Sequence, residues 1–503
     1  MTLMYEEIRN VASKQPKHTA IIFQGNEINY EDFLKHTDDL AEELKQLGIK
    51  TGDRVAVLLE NVPEYVFSFF ALNKIGAIVV PVGTRSRDAE IVKMLRNSDA
   101  KAIIFTSKDS NGVEFLTQIE EIGLSSPKNL IALHSNEGII KFSELERKNV
   151  NSDEQNTSTD ENTPFAILFT SGTTGDPKKV VLQEKPTFNS LKHINENLGT
   201  SNKDRYLLSM PITSSLGCIT VMLRALLGGA TIALVKNFKA KEILKLIEEY
   251  KITVHPAVPT MMALELLVLK DSTADISSLR SVILSGSPVS HELCRRIHEE
   301  MDCEVFVGYG LSESISYVTL YHLPVHENID PNAVKYPWMP IGYPLPGVQI
   351  ILRGEDGKEV EPGNVGEIML RDNGYMGDKE WLITGDLAVL DKNGCLVFWG
   401  RKKDLIIRGG FNIYPLEIEN VLSQREDLES VCVLGIPDEV MGEKTVACII
   451  PKAEEPEKEE IRSYCGHYLS DYKVPDFICF IDEFPLNPMG KVDKQSLIKK
   501  INI

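Results

Sequence analysis

Apolar residues recur at helical spacing from residue 31 to 47, where Phe33, Leu34, Leu40, Ala41, Leu44 and Leu47 form one stripe that Gly48 closes. Val55 to Leu59 then reads as a buried strand. The alternation repeats downstream. Pro63 opens a helix through Phe70 and Leu72, Ala77 to Val82 is a strand, Glu90 to Leu95 is helical, and Ala100 to Thr106 is another strand. Strands alternating with helices predict parallel α/β layers covered on both faces, with these stripes serving as core.

The pattern breaks at three places. Residues 149–162 have almost nothing to bury and predict a solvated loop between two α/β lobes. From Gly347 to Val397 short strands are punctuated by turns at Glu355 to Gly357, Pro362-Gly363 and Asp391 to Gly394, which predicts a small β-rich subdomain. After Arg401 to Asp404 a final unit follows in the order helix, strand, strand, helix, strand. A chain of 503 residues exceeds one ordinary core. The reading is therefore an α/β protein with a large N-terminal domain, residues 1–400, and a smaller α+β C-terminal domain, residues 401–503.

Composition, 43% apolar and 25% charged, is that of a globular protein rather than a disordered one. A net charge of -19 argues against a nucleic-acid partner and requires any polyanionic substrate to be gripped by local cations. The eight cysteines are scattered, with no Cys-x-x-Cys pair, which predicts buried free thiols in a reducing compartment. No basic, then apolar, secretory pattern opens the chain and no segment reaches membrane-spanning length, so a cytoplasmic location is expected.

The apolar run Ala166 to Phe169 empties into Thr170, Ser171, Gly172, Thr173, Thr174, Gly175, Asp176, Pro177 and Lys178. Glycines let backbone N–H groups turn inward on an anion, the hydroxyls donate further bonds, and Lys178 adds a cation. The Gly-x4-Gly-Lys-Ser/Thr spacing of the common nucleotide loop is absent. A plain turn after a buried strand is the alternative for any few of these residues, but the unbroken run favours a polyphosphate cradle.

This run resembles the phosphate loop of the adenylate-forming superfamily, which includes acyl-CoA synthetases, peptide adenylation domains and firefly-type luciferases. Further matches follow in the same order: Val307 to Glu313 resembles the Tyr-Gly-x-Thr-Glu segment, Trp381 to Leu387 the Thr-Gly-Asp segment, Gly400 to Asp404 the interdomain hinge, and Tyr472 to Pro475 with Pro485 to Asp493 the catalytic-lysine segment. The resemblance implies attack of a carboxylate on the α-phosphorus of ATP, then thiol attack on the acyl-adenylate.

It also implies roles. The loop from Thr170 to Lys178 would hold the β- and γ-phosphates, and Glu313 with Thr170 the Mg²⁺. Tyr309, Gly310 and Ser312 would border the nucleotide, with Tyr309 near the adenine. Asp386 would accept both ribose hydroxyls, supported by Arg401. Lys491 would be the catalytic cation of adenylation, carried by a mobile C-terminal domain pivoting at Lys403. Gly409 and Gly410 would line the passage for coenzyme A. Outside the resemblance each reads more simply, Glu313 as a surface residue or cap, Asp386 as a turn residue and Lys491 as a solvated lysine.

Ser214 stands where many relatives carry a pocket-gating His, and the stretch before Thr384 is short. The acyl pocket is expected around Ser214, Gly217, Ala257, Ser285, Gly286 and Gly308, small residues without a partner for a second carboxylate. That favours a fatty or aromatic monocarboxylic acid. The leading function is an AMP-forming acyl-CoA ligase using ATP, Mg²⁺ and coenzyme A. The alternatives are a stand-alone enzyme loading a carrier protein and a non-catalytic nucleotide-binding relative.

Overall fold

The computed structural model describes residues 2–86, 88–106, 129–132, 140–141, 163–170, 178–324, 339–372, 381–486 and 492–501. Two compact units divide the chain: Met1–Ala257, Asp271–Arg280 and Gly310–Tyr317 form one, and Val258–Lys270, Ser281–Tyr309 and Val318–Ile503 the other.

The first unit is built on strand–helix alternation. Its helix Tyr30–Gln46 starts at Asn29, whose side chain accepts from Asp32 N–H, and Pro63 occupies the first turn of the helix Pro63–Ile75, which Gly76 ends at φ +77°. A seven-stranded sheet runs Ile140–Lys141, Asn129–Ala132, Ala102–Phe105, Arg54–Leu58, Ile78–Pro81, Pro164–Thr170, Lys178–Gln183. All neighbours are parallel except the last pair. Ala56, Leu58, Val80, Ile103 and Ile167 pack one of its cores. A second group of strands places Arg205–Leu208 between Val254–Ala257 and Thr231–Leu234, with Thr19–Phe23 beyond, all parallel, and Asn26–Asn29 as an antiparallel edge.

In the second unit Ser281–Ser285 pairs in parallel with Glu304–Gly310. Antiparallel strands then follow in the order Val348–Arg353, Val365–Asp372, Leu382–Leu390, Leu396–Arg401, Pro340–Pro344, Tyr317–Leu323. The expected turn glycines Gly357, Gly363 and Gly394 all have φ between +79° and +93°. The chain after residue 405 has its own sheet, with Gly442–Pro451 at its centre and Leu428–Asp438 along its edge, and two apolar cores drawn only from residues 406–501. The fold is thus mixed α/β, with a large N-terminal and a smaller C-terminal domain.

The order expected for the C-terminal unit needs two additions. A short hairpin, Ile406–Arg408 with Phe411–Ile413, precedes its first helix, and Lys494–Lys500 closes it as a helix. Ile407 and Phe411 are exposed, so the hairpin carries little of the burial pattern by which strands are read. Seven of the eight cysteines are buried and all are free. No described helix is long and apolar enough to cross a membrane.

Candidate functional site

The glycine-and-hydroxyl run joins two paired strand ends. Thr170, half-buried, is the register partner of Lys178 across the antiparallel pair, which fixes where the run begins and ends. Ser171, Gly172, Thr173, Thr174 and Gly175 lie outside the described residues. Lys178 Nζ is 3.5 Å from Glu313 Oε1, so the loop's cation and the carboxylate singled out for the metal come together although 135 positions apart in sequence.

Glu313 projects from a tightly determined turn. Residues Ser312–Ser314 form one 3-10 turn, closed by Ser314 N–H to Leu311 O (3.1 Å) and by the Ser314 hydroxyl, which accepts from Leu311 N–H (2.9 Å). Ile315 follows at φ +74°, ψ −56°, and Ser316 N–H donates across it to Ser314 O at 2.8 Å. This is a γ-turn of the rare positive-φ kind, on a buried β-branched residue, and such strain costs on the order of 1–3 kcal/mol. Strain persists only where the surroundings over-determine it. Here Ser316 Oγ bonds Thr220 Oγ1 at 2.9 Å, and Gly310 approaches Ser316 so closely that a Cβ would lie 1.9 Å from its carbonyl oxygen. Gly310 is therefore required by contact, and Ser312 sits inside the same turn.

Asp386 is 2% exposed. Tyr309 donates its hydroxyl to Oδ2 at 2.9 Å, the Arg401 guanidinium forms an ion pair with Oδ1 (Nε at 3.0 Å), and the strand register places Asp386 opposite Arg401. Gly385 at φ +74° and the Thr384 hydroxyl, which accepts from Asp386 N–H at 3.0 Å, set the backbone. Burial first, and then the Asp386 carboxylate, hold the Tyr309 phenol well above its ordinary pKa, so it remains a donor. The resemblance implies a place for Tyr309 near the adenine; the structure adds a hydrogen bond from its hydroxyl to Asp386. Only a contact map reveals that pairing.

Around the expected acyl pocket, Ser214 is buried and caps a π-helical segment, Leu216–Leu223. Its hydroxyl donates to Pro211 O (2.7 Å) and accepts from Gly217 N–H (2.9 Å). A Cβ on Gly217 would stand 2.2 Å from Pro211 O. The residue in the His position thus acts locally, as a cap. Ala257 is buried at the end of its strand. In the other unit Ser285 and Gly308 are register partners at the end of a parallel pair, where ligands of such sheets commonly bind, and Gly286 turns the chain at φ +83°.

Lys403 is exposed within the 3-10 turn Lys402–Asp404. Gly409 and Gly410, at φ +57° and +85°, are the two turn residues of the hairpin Ile406–Ile413, with Gly409 N–H bonded to Met441 O. Lys491 lies outside the described residues. The described residues on either side of it are joined by the bridge Leu486↔Val492 and by Asp493 N–H to Pro485 O at 2.7 Å.

Two residues escaped the sequence reading. Ile315 carries no local signal, because nothing in the sequence marks a γ-turn. Lys494, in the first turn of the helix Lys494–Lys500, does carry one: a cation at a helix N-terminus opposes the helix dipole, which hints at an acidic partner elsewhere.

Residues 8–377 match the AMP-binding enzyme family and residues 417–491 the AMP-binding enzyme C-terminal domain. The chain belongs to this family and so to the adenylate-forming superfamily. It is 29% identical to the fatty acid–[acyl-carrier-protein] ligase ScoC of Streptomyces coeruleorubidus over 97% of this chain and 94% of that one. It is 28% identical to the long-chain-fatty-acid–CoA ligase FadD13 of Mycobacterium tuberculosis (strain ATCC 25618 / H37Rv), over 97% of each. Among solved structures, the o-succinylbenzoate coenzyme A synthetase MenE of Bacillus subtilis, in complex with ATP and magnesium ion, is similar at a TM-score of 0.80 and 26% identity, covering 98% of this chain and 99% of that one.

Proposed function

We propose that this protein is an AMP-forming acyl-CoA ligase that converts a fatty or aromatic monocarboxylic acid and ATP to an acyl-adenylate and pyrophosphate, then passes the acyl group to the thiol of coenzyme A. The observation that carries the reading is the 3.5 Å approach of Lys178 to Glu313. It joins the cation of the glycine-and-hydroxyl run to a carboxylate held rigidly enough to serve as a metal ligand.

Both reactants of the first step are anions, so the site must screen charge and align an in-line displacement. Backbone N–H groups and hydroxyls from Thr170 to Thr174, with Lys178, would receive the β- and γ-phosphates. Glu313 and Thr170 offer the hard oxygen donors that Mg²⁺ prefers, and the ion would supply charge neutralisation at the phosphates. Asp386, steadied by Tyr309 and Arg401, would receive the ribose hydroxyls. Lys491 would screen the carboxylate from the α-phosphate. Residues 1–400 would bind the substrates while 401–503 swing at Lys403, bringing Lys491 in for adenylation and the Gly409-Gly410 hairpin in for thioester formation.

A second acceptor is favoured by the likeness to a fatty acid–[acyl-carrier-protein] ligase: the pantetheine thiol of a carrier protein. The deciding experiment measures AMP and pyrophosphate release over a panel of fatty and aryl acids, with free coenzyme A or a phosphopantetheinylated carrier protein as acceptor. Acyl-CoA formation with coenzyme A at micromolar to millimolar levels is expected. Release that needs the carrier protein moves the reading to the second acceptor, and no pyrophosphate release with any acid contradicts both.

A further inference from the structure

The hinge is anchored differently on its two sides. Upstream, Arg401 pairs with Asp386 and Lys402 Nζ with Glu367 Oε2 at 2.9 Å, both carboxylates belonging to the β-rich strands of the large domain. Downstream, Asp404 Oδ2 is 3.0 Å from Lys494 Nζ, on the first turn of the closing helix. Exposed Lys403 lies between the two sets.

A second carboxylate, the buried Glu419, also acts on the Lys494 ammonium. Glu419 is 9% exposed and accepts from Val433 N–H at 2.7 Å. Burial raises the Glu419 pKa and Lys494 lowers it. Burial also works against the Lys494 ammonium, but Glu419 and Asp404 outweigh it, and its pKa is raised. The cation is therefore kept. Val492 and Leu497, on either side of Lys494, pack into the core formed with Cys432, Leu434, Val446 and Cys448. Asp404 beyond the hinge, the closing helix and Val492 are thus linked through Lys494 and this core.

We infer that Lys494 is a positioning residue for adenylation: its ion pair with Asp404 transmits rotation about Lys403 to the segment bearing Lys491 without slack. The inference rests on the role proposed for Lys491. A misplacement of about 1 Å at a catalytic group costs on the order of a hundredfold in rate, so even partial slack is measurable.

The test uses the full-length enzyme and both half-reactions. Lys494→Gln should lower kcat of ATP/pyrophosphate exchange by about tenfold or more, leave KM for ATP within about twofold, and spare coenzyme A attack on supplied acyl-adenylate. Lys494→Arg, which keeps the charge, should recover most of the exchange. Asp404→Asn should share the defect, and the double variant should be no worse than either single one. Exchange and thiolysis falling together, in step with a lowered Tm, would mean a merely structural pair and overturn the inference. Normal exchange in Lys494→Gln, with exchange lost in Lys491→Ala, overturns the positioning role alone. Normal exchange in Lys491→Ala removes the functional reading beneath it as well.

Discussion

Replacing Gly217 by Ala tests whether the π-helical segment beside Ser214 is as tightly built as its contacts imply. The added Cβ would meet Pro211 O at 2.2 Å, Pro211 C at 2.9 Å and Ile212 Cα at 3.1 Å, all backbone atoms that no rotamer change can move aside. Relief needs a backbone shift of roughly 1 Å in a close-packed interior. Pro211 O already accepts from the Ser214 hydroxyl at 2.7 Å and from Ser214 N–H at 3.0 Å, so displacing it also weakens the cap. Overpacking at about 1–3 kcal/mol and a hydrogen bond at about 1 kcal/mol together give a loss of about 2–4 kcal/mol. The assay is urea unfolding, read as a lower midpoint at unchanged slope. Steady-state kinetics accompany it, where KM for the acid should rise more than KM for ATP. Gly466→Ala is the control: Gly466 lies exposed in the helix Lys458–Tyr468 with nothing closer than Val474 at 4.0 Å, and should gain about 0.5–1 kcal/mol. A Gly217→Ala enzyme with wild-type midpoint and acid KM would refute the reasoning.

Glu313→Gln keeps the turn but removes the charge; the Mg²⁺ concentration for half-maximal exchange should rise by about tenfold or more, while stability changes by less than about 1 kcal/mol because the pair with Lys178 is partly exposed. An unchanged Mg²⁺ titration would remove Glu313 from the metal site. The buried thiols predict a pH effect. Burial pushes Cys218 and Cys448 up to about 12 from an ordinary value of 9.0, so the folded state holds these protons more tightly than the unfolded one. Stability should be unaffected below about pH 9 and fall above it, by up to about 1.4 kcal/mol per pH unit per thiol, as followed by urea midpoints from pH 7 to 10.5. A thiol-specific dye at pH 8 should label the native protein slowly, at the half-buried Cys479 before the buried Cys218.

Much of the fold was legible because its elements bury one face against a core. The stripe at 31–47 becomes the helix Tyr30–Gln46, the run at 55–59 the strand Arg54–Leu58, and Pro63 the first turn of the helix Pro63–Ile75. The elements missed are those with little to bury, namely the hairpin around Gly409-Gly410 and the seven-residue closing helix. Within the site, residue types could be read but not their neighbours. Asp386 was legible as a carboxylate in a Thr-Gly-Asp run, yet its bond to Tyr309, 77 positions away, depends on tertiary pairing. The γ-turn at Ile315 contradicts the local preference of a β-branched residue, so sequence argues against it until Gly310 and Thr220 are seen to enforce it.

The central claim is that a glycine-and-hydroxyl run on the large domain and a single ammonium on the small one act on the same triphosphate. Lys491→Ala measures this most directly, with ATP/pyrophosphate exchange and coenzyme A attack on preformed acyl-adenylate assayed side by side. The account predicts that exchange is abolished while thioester formation proceeds near the wild-type rate. Exchange that persists, or both activities lost to the same extent, would contradict it.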